Sequence, residues 1–66
     1  MTEYDEFKAA DHEWSAELKR LFGRNAGDVR YTKQGEGEPG TTLNACYLRF
    51  RRANDAWLEW VRSTRV

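Results

Sequence analysis

The chain has 66 residues, of which 33% are charged, and its eleven bases balance its eleven acids; it has one cysteine and one histidine. A lone cysteine excludes an intrachain disulfide, and one cysteine with one histidine is too few ligands for a structural zinc site. The sequence therefore predicts one small domain, residues 1–66, whose limited core is supplemented by oligomerisation.

The sequence predicts a cytoplasmic protein without a membrane partner. No apolar run approaches the roughly 18 residues of a membrane span. The opening stretch MTEYDEF is acidic, whereas a signal peptide begins with basic residues. A single reduced cysteine fits a reducing compartment.

The first predicted helix covers residues 3–22, where apolar residues recur at steps of three and four. These residues are Tyr4, Phe7, Ala10, Trp14, Leu18, Leu21 and Phe22. Thr2 is placed as an N-cap, and acids follow in the first turn, where the helix dipole favours them. Gly23 is placed to end the helix.

A long glycine-rich loop, residues 23–41, is predicted to connect this helix to the next. Residues 24–40 contain four of the five glycines and the only proline. Connections of this length without secondary structure are uncommon, so the segment is functional, mobile or partly ordered. The stretch DVRYT alternates as a short extended segment would. Val29 and Tyr31 either fold back onto the helices, or Arg30 and Tyr31 form a binding surface.

The second predicted helix covers residues 42–63. Pro39 and Gly40 bar an earlier start, Thr41 or Thr42 can cap the helix, and cationic residues lie near its C-terminus. Those cations are Arg62 and Arg65. The apolar stripe consists of Leu43, Cys46, Tyr47, Phe50, Ala53, Trp57, Trp60 and Val61.

Together these patterns predict an all-α fold, an antiparallel two-helix hairpin. Aligning the two stripes by side-chain size predicts four contacts. They are Leu21 with Leu43, Leu18 with Cys46, Trp14 with Phe50, and Phe7 with Trp57. The second stripe is wider than one helix can cover, and Trp60 lies at its margin. The hairpin is therefore predicted to dimerise into a helical bundle or to bind another protein.

The same alignment places two polar residues, Asp11 and Asn54, opposite each other within the stripes. A buried carboxylate needs a hydrogen-bond donor, and an asparagine amide is suitable. We therefore predict a structural polar pair that sets the register. The alternative is that Asn54 reads a base edge in nucleic acid, which requires its exposure in a groove.

The charges are distributed unevenly along the chain. Residues 1–22 carry six acids and three bases, and residues 41–66 carry five arginines and two acids. This difference favours pairing between the helices. Alternatively, Arg49, Arg51 and Arg52 in YLRFRRAN bind phosphates, as in a dimeric nucleic-acid-binding protein. They also fit a solvated face with ion pairs such as Arg51–Asp55.

No catalytic, cofactor or metal site is predicted, and we expect no enzymatic activity. Asp11, His12 and Glu13 are adjacent on a helix and point in different directions. Cys46 lies on the apolar stripe as a small core residue. GEGEPG lacks the Lys-Ser/Thr that follows in a phosphate-binding loop.

Residues 27–60 resemble small uncharacterised proteins encoded by bacteriophages and prophages of proteobacteria. The matching residues are Gly27, Asp28, Arg30, Tyr31, Gly37, Gly40, Leu43, Tyr47, Phe50, Ala53, Asn54, Trp57 and Leu58. The resemblance implies a phage-borne accessory protein in the host cytoplasm that binds a host or phage protein. Inhibitors of defence systems such as CRISPR complexes are among such proteins. A structural virion component is a further alternative.

The residue types enriched at binding hot spots identify candidates for contact with a partner protein. The candidates are Arg30 and Tyr31 on the loop and Arg49, Arg52 and Trp60 on the second helix.

Overall fold

The computed structural model describes residues 2–64, and its first helix, α1, spans Glu3–Phe22, the predicted bounds. The Thr2 hydroxyl accepts a hydrogen bond from the Asp5 backbone N–H at 3.2 Å, and the Asp5 carboxylate bonds back to Thr2. This reciprocal cap satisfies N–H groups at the start of the helix. Gly23, with φ of 57°, closes the other end by donating to the Lys19 carbonyl.

The second long helix, α3, spans Thr42–Thr64 and extends one residue beyond its predicted end. Thr41 caps it, because the Thr41 hydroxyl accepts the Asn44 backbone N–H at 3.2 Å. Arg62 lies in the last turn, as predicted, and Arg65 lies outside the described residues. Within residues 2–64 the secondary structure is entirely helical.

The connection between α1 and α3 is folded into short helical turns, so it is at least partly ordered, one of the three states expected of a connection of this length. It contains a 3-10 turn at Gly23–Asn25, a single α-helical turn, α2, at Ala26–Val29, and a second 3-10 turn at Lys33–Glu36. The extended segment considered for DVRYT is absent, because these residues form local hydrogen bonds of helical type. The Arg30 N–H, for example, donates to the Ala26 carbonyl at 3.0 Å.

Two side chains hold this connection onto the long helices. The Trp14 indole N–H donates to the Gly35 carbonyl at 3.0 Å in a buried hydrogen bond. The Asn44 amide donates to the Glu36 carbonyl at 3.0 Å. Gly35 is buried, and an added Cβ would lie 2.5 Å from the Val29 carbonyl oxygen. This close approach between backbone segments therefore requires glycine.

The fully buried core is small and lies in the half of the hairpin next to the connection. It consists of Trp14, Leu18, Leu43 and Cys46, each at most 5% exposed. One sequence interpretation was that Val29 and Tyr31 both fold back onto the helices. Val29 does pack against this cluster, but Tyr31 does not. The other half of the hairpin has no fully buried residue among those described, and its aromatic side chains are only partly covered.

Aromatic contacts set the register of α1 on α3. Trp14 lies 4.8 Å from Phe50 between ring centroids, which is a predicted contact. The predicted pairing of Phe7 with Trp57 is wrong, because Phe7 packs on Phe50 at 5.6 Å and Tyr4 packs on Trp57 at 4.9 Å. Phe50 thus packs between the rings of Phe7 and Trp14 on α1, in the manner of knobs-into-holes packing. An alignment that pairs single residues by size does not predict this arrangement.

No helix within residues 2–64 has the length and apolar character needed to cross a membrane.

Candidate functional site

Arg30 anchors the connection to α1. Its Nη1 donates to the Ser15 hydroxyl at 2.6 Å, and its Nη2 pairs with the Asp11 carboxylate. The guanidinium lies 4.4 Å from the Trp14 ring centroid and 5.3 Å from that of Phe50, both favourable cation–π distances. The Arg30 side chain is only 20% exposed. The Arg30 guanidinium therefore makes its contacts within the protein, and little of the side chain is available at the surface to a partner.

The predicted hydrogen bond between Asp11 and Asn54 is not formed within the described part of the chain. Asp11 pairs with Arg30, and a guanidinium is a stronger partner for a carboxylate than an amide is. Phe50 lies one turn before Asn54 on α3. It packs against Phe7 and Trp14, which lie before and after Asp11 on α1. It thus occupies the position opposite Asp11 that the size alignment assigned to Asn54.

Tyr31 follows Arg30 directly and is 85% exposed. Its backbone is nevertheless held on both sides. The Arg30 side chain is fixed on α1, and the Thr32 hydroxyl and N–H both donate to the Val29 carbonyl, at 2.8 and 3.0 Å. The Tyr31 N–H itself donates to the Asp28 carbonyl at 3.4 Å. The result is a large aromatic side chain in solvent on a backbone of defined conformation.

A groove of about 360 Å³ lies between α1 and α2, close to Tyr31 along the chain. We call it the α1–α2 groove. It is lined by His12, Ser15, Ala16, Leu18, Lys19, Ala26, Gly27 and Arg30. Small and apolar residues form most of this lining, which also includes His12, Lys19 and the guanidinium of Arg30 that pairs with Asp11. The groove was not predicted, because its two walls come from a helix and from a segment expected to be a loop.

Three aromatic rings are in contact at the end of the hairpin remote from the connection, two of them stacked and the third, Tyr4, tilted by 49° against Trp57. Trp57 lies 5.3 Å from Trp60, with ring planes 17° apart, and 4.9 Å from Tyr4. Tyr4 is 45% exposed and Trp60 is 44% exposed. We call these three residues the aromatic stack. Partly exposed stacked aromatics are typical of surfaces that bind protein.

The arginines of α3 have different environments. Arg49 pairs with Glu13 of α1, and this contact confirms charge pairing between the two helices. Arg51 and Arg52 are exposed and take part in none of the ion pairs found within residues 2–64. The predicted Arg51–Asp55 pair is therefore not formed there. Only two of the three arginines proposed to bind phosphates are without a carboxylate partner.

Cys46 is a core residue, 3% exposed. Its Sγ lies 3.5 Å from a Glu13 carboxylate oxygen and 3.6 Å from Nη2 of Arg49. Burial, and secondarily the charge of Glu17, raise the pKa of the Cys46 thiol above its usual value. The thiol is therefore protonated near neutral pH and a poor nucleophile. His12 is exposed and lines the α1–α2 groove.

The sequence interpretation missed the contributions of Ser15, Lys19, Gly35 and Asn44. A tryptophan N–H usually finds an acceptor when it is buried, but the sequence contains no signal that identifies the Gly35 carbonyl. Likewise, Asn44 is recognisable as polar in the first turn of α3, but its acceptors depend on the folded connection. Comparison of the chain with protein-family models, with curated proteins and with solved structures finds no match.

Proposed function

We propose that this protein is a small phage-type accessory protein that acts by binding another protein, with Tyr31 as a central contact. The observation that carries this proposal is the combination of an 85% exposed tyrosine with a backbone held by hydrogen bonds on both sides. A rigid aromatic side chain buries much apolar area and loses little conformational entropy on binding. Tyrosine is accordingly enriched among residues that dominate binding energy.

Arg30 contributes to this surface by positioning Tyr31. Its guanidinium holds the connection on Asp11 and Ser15, so its loss would release the segment that carries Tyr31. Of the other sequence candidates, Arg52 and Trp60 are exposed, and Arg49 is paired with Glu13. Arg52 and Trp60 lie on α3, so they belong to a surface distinct from the connection.

The sharpest version of this proposal is an inhibitor of a host defence complex such as a CRISPR effector, acting in the host cytoplasm. It is supported by the resemblance of residues 27–60 to phage and prophage proteins. A small chain inhibits a larger complex most simply by covering one of its surfaces, and this requires only a binding face.

We further propose that the hairpin is antiparallel and acts as a homodimer, with a second copy covering the aromatic stack. The order of the aromatic pairs supports the antiparallel arrangement, since Tyr4 meets Trp57 and Trp14 meets Tyr47. Dimerisation is supported by the position of the core, because the four buried hydrophobic residues found among those described lie in the half next to the connection. A second copy would bury the aromatic rings of the other half.

Nucleic-acid binding through α3 has weaker support. Phosphate binding depends on several cations acting together, but Arg49 is paired with Glu13, which leaves Arg51 and Arg52. A structural role in a virion would require assembly beyond the dimer.

Affinity capture of the tagged protein from nuclease-treated bacterial lysate tests the protein-binding proposal. A hot-spot residue contributes about 2 kcal/mol or more, so we expect Tyr31→Ala to reduce the recovered partner by tenfold or more. Leu48→Ala, at an exposed position on α3, is the matched control and should retain the partner. Equal recovery with both variants would contradict a central role for Tyr31, and material lost on nuclease treatment would support the arginine face instead.

A further inference from the structure

The α1–α2 groove surrounds a small apolar floor with basic side chains. His12 and Lys19 lie seven positions apart on α1, about two helical turns, and therefore share one face of the helix. Arg30 approaches from the connection, and its fixed guanidinium forms part of the wall. Ala16 and Ala26 have short side chains and Gly27 has none, so the space between these groups is not filled and the groove is open.

The neighbouring carboxylates of α1 are already paired, and Arg30 is paired with one of them, so Lys19 carries the positive charge of the groove. Asp11 pairs with Arg30, and Glu13 pairs with Arg49 on α3. Glu17 accepts a hydrogen bond from Nε of Arg20 at 3.0 Å.

Lys19 takes part in none of the ion pairs found between the described side chains. Lys19 is thus a cation that lies beside an apolar surface and has no carboxylate partner among the described side chains.

We infer that the groove binds an acidic side chain flanked by apolar residues, supplied by the partner protein that contacts Tyr31; this inference rests on the proposed function. A volume of about 360 Å³ suits one side chain with parts of its neighbours. The apolar floor favours a carboxylate carried on an apolar segment over a strongly hydrated phosphate. The ligand group is negatively charged because it complements the positive charge of Lys19.

Titration of the ¹⁵N-labelled full chain with a short blocked peptide, in which glutamate is flanked by leucines, tests the inference by NMR. We expect saturable shifts of the Ser15, Ala16 and Gly27 amides, and weaker binding, by up to about fivefold, for the peptide with glutamine in place of glutamate. Lys19→Gln should weaken binding of the glutamate peptide by a similar factor. Lys33→Gln, an exposed lysine outside the groove lining, should leave it unchanged.

Gly27→Leu provides a second, steric test. A Cβ at Gly27 meets no atom within 4 Å, so the variant can fold while its side chain enters the groove. We expect the groove shifts to disappear in this variant. The inference is overturned if Gly27→Leu binds the peptide as the wild type does, or if the glutamate and glutamine peptides bind equally. It is also overturned if only duplex DNA or inorganic phosphate shifts these amides.

The two proposals can fail separately. Peptide binding in the groove together with capture that does not depend on Tyr31 would contradict the proposed role of Tyr31 alone. Capture that depends on Tyr31, without peptide binding in the groove, would contradict the groove inference alone.

Discussion

The indole N–H of Trp14 donates to the carbonyl of Gly35 at 3.0 Å inside the protein, and this hydrogen bond joins the connection to the core. Trp14 is 4% exposed and also packs on Tyr47 and Phe50 of α3. One side chain of α1 therefore contacts both other parts of the fold. The position of the connection, and with it the position of Tyr31, depends on this residue.

Trp14→Phe should lower the free energy of unfolding by about 1–3 kcal/mol. The substitution keeps an aromatic ring but removes the donor, and it leaves the Gly35 carbonyl without this partner in a buried place. Urea denaturation measures the effect. Trp60→Phe, at a 44% exposed position and at a concentration low enough to avoid association, is the control and should change stability by less than about 0.5 kcal/mol. Equal effects would show that the hydrogen bond is unimportant.

Gly35→Ala and Gly27→Ala should have opposite effects on thermal stability. At Gly35 a Cβ would lie 2.5 Å from the Val29 carbonyl oxygen and 3.1 Å from the Arg30 Cα, so backbone must move, at a cost of about 1–3 kcal/mol. At Gly27 a Cβ meets nothing within 4 Å, and alanine in α2 should stabilise by up to about 1 kcal/mol. Melting temperatures that fall equally would contradict the close approach at Gly35.

Asp11 and Arg30 should be energetically coupled. A double-mutant cycle with Asp11→Asn and Arg30→Met should give a coupling free energy of about 1 kcal/mol. The value is modest because, although the Arg30 side chain is only 20% exposed, the Asp11 side chain is 39% exposed and water partly screens the pair. The matched cycle on Glu59 and Arg62, an ion pair within α3 whose side chains are both at least 70% exposed, should give a smaller coupling free energy that added salt weakens further. Additive effects of the Asp11 and Arg30 substitutions would exclude their ion pair as a stabilising contact.

Trp60→Glu should convert a dimer into a monomer in sedimentation equilibrium. The substitution places a charge in the aromatic stack that a second copy is proposed to cover. Leu48→Glu introduces the same charge at a residue on α3 that is exposed to a similar degree, and it should leave the dimer intact. A wild-type chain that remains monomeric at millimolar concentration would contradict the proposed dimer.

Stability should decrease at alkaline pH partly because of Cys46. Its pKa is raised by burial, so the folded state holds the thiol proton more tightly than the unfolded state does. This contribution is fully present below the pKa of the unfolded thiol and is lost as the pH rises through the higher pKa of the folded thiol. The stability difference between the wild type and Cys46→Ala should therefore shrink above the pKa of the unfolded thiol. A difference that is constant between neutral and strongly alkaline pH would contradict this assignment.

The helical character and the ends of the long helices could be predicted because they depend on neighbouring residues. Thr2 and Thr41 cap the helices through residues three positions later, and Gly23 ends α1 through its own backbone conformation. The apolar stripes likewise identified all four buried core residues as members of the helix interface. Each of these features is visible in a short window of sequence.

The candidate site could be predicted only in part. The sequence predicts Tyr31 and Arg30 as neighbouring partner-binding residues, but it does not predict that their side chains point in different directions. Arg30 turns inward because Asp11, Ser15 and the Trp14 ring together form a place for a guanidinium, and those residues lie at least fifteen positions away in the chain. The groove next to them exists only when the connection folds against α1.

The sequence by itself determined two amphipathic helices, their caps and the charge difference between them, since helix formation follows from local propensity and periodicity. Only the tertiary structure decided that Asp11 pairs with Arg30 and not with Asn54, that Gly35 accepts the Trp14 N–H, and that Tyr31 remains in solvent. These outcomes depend on how side chains distant in sequence fill the space between the helices, and close packing allows few arrangements of them.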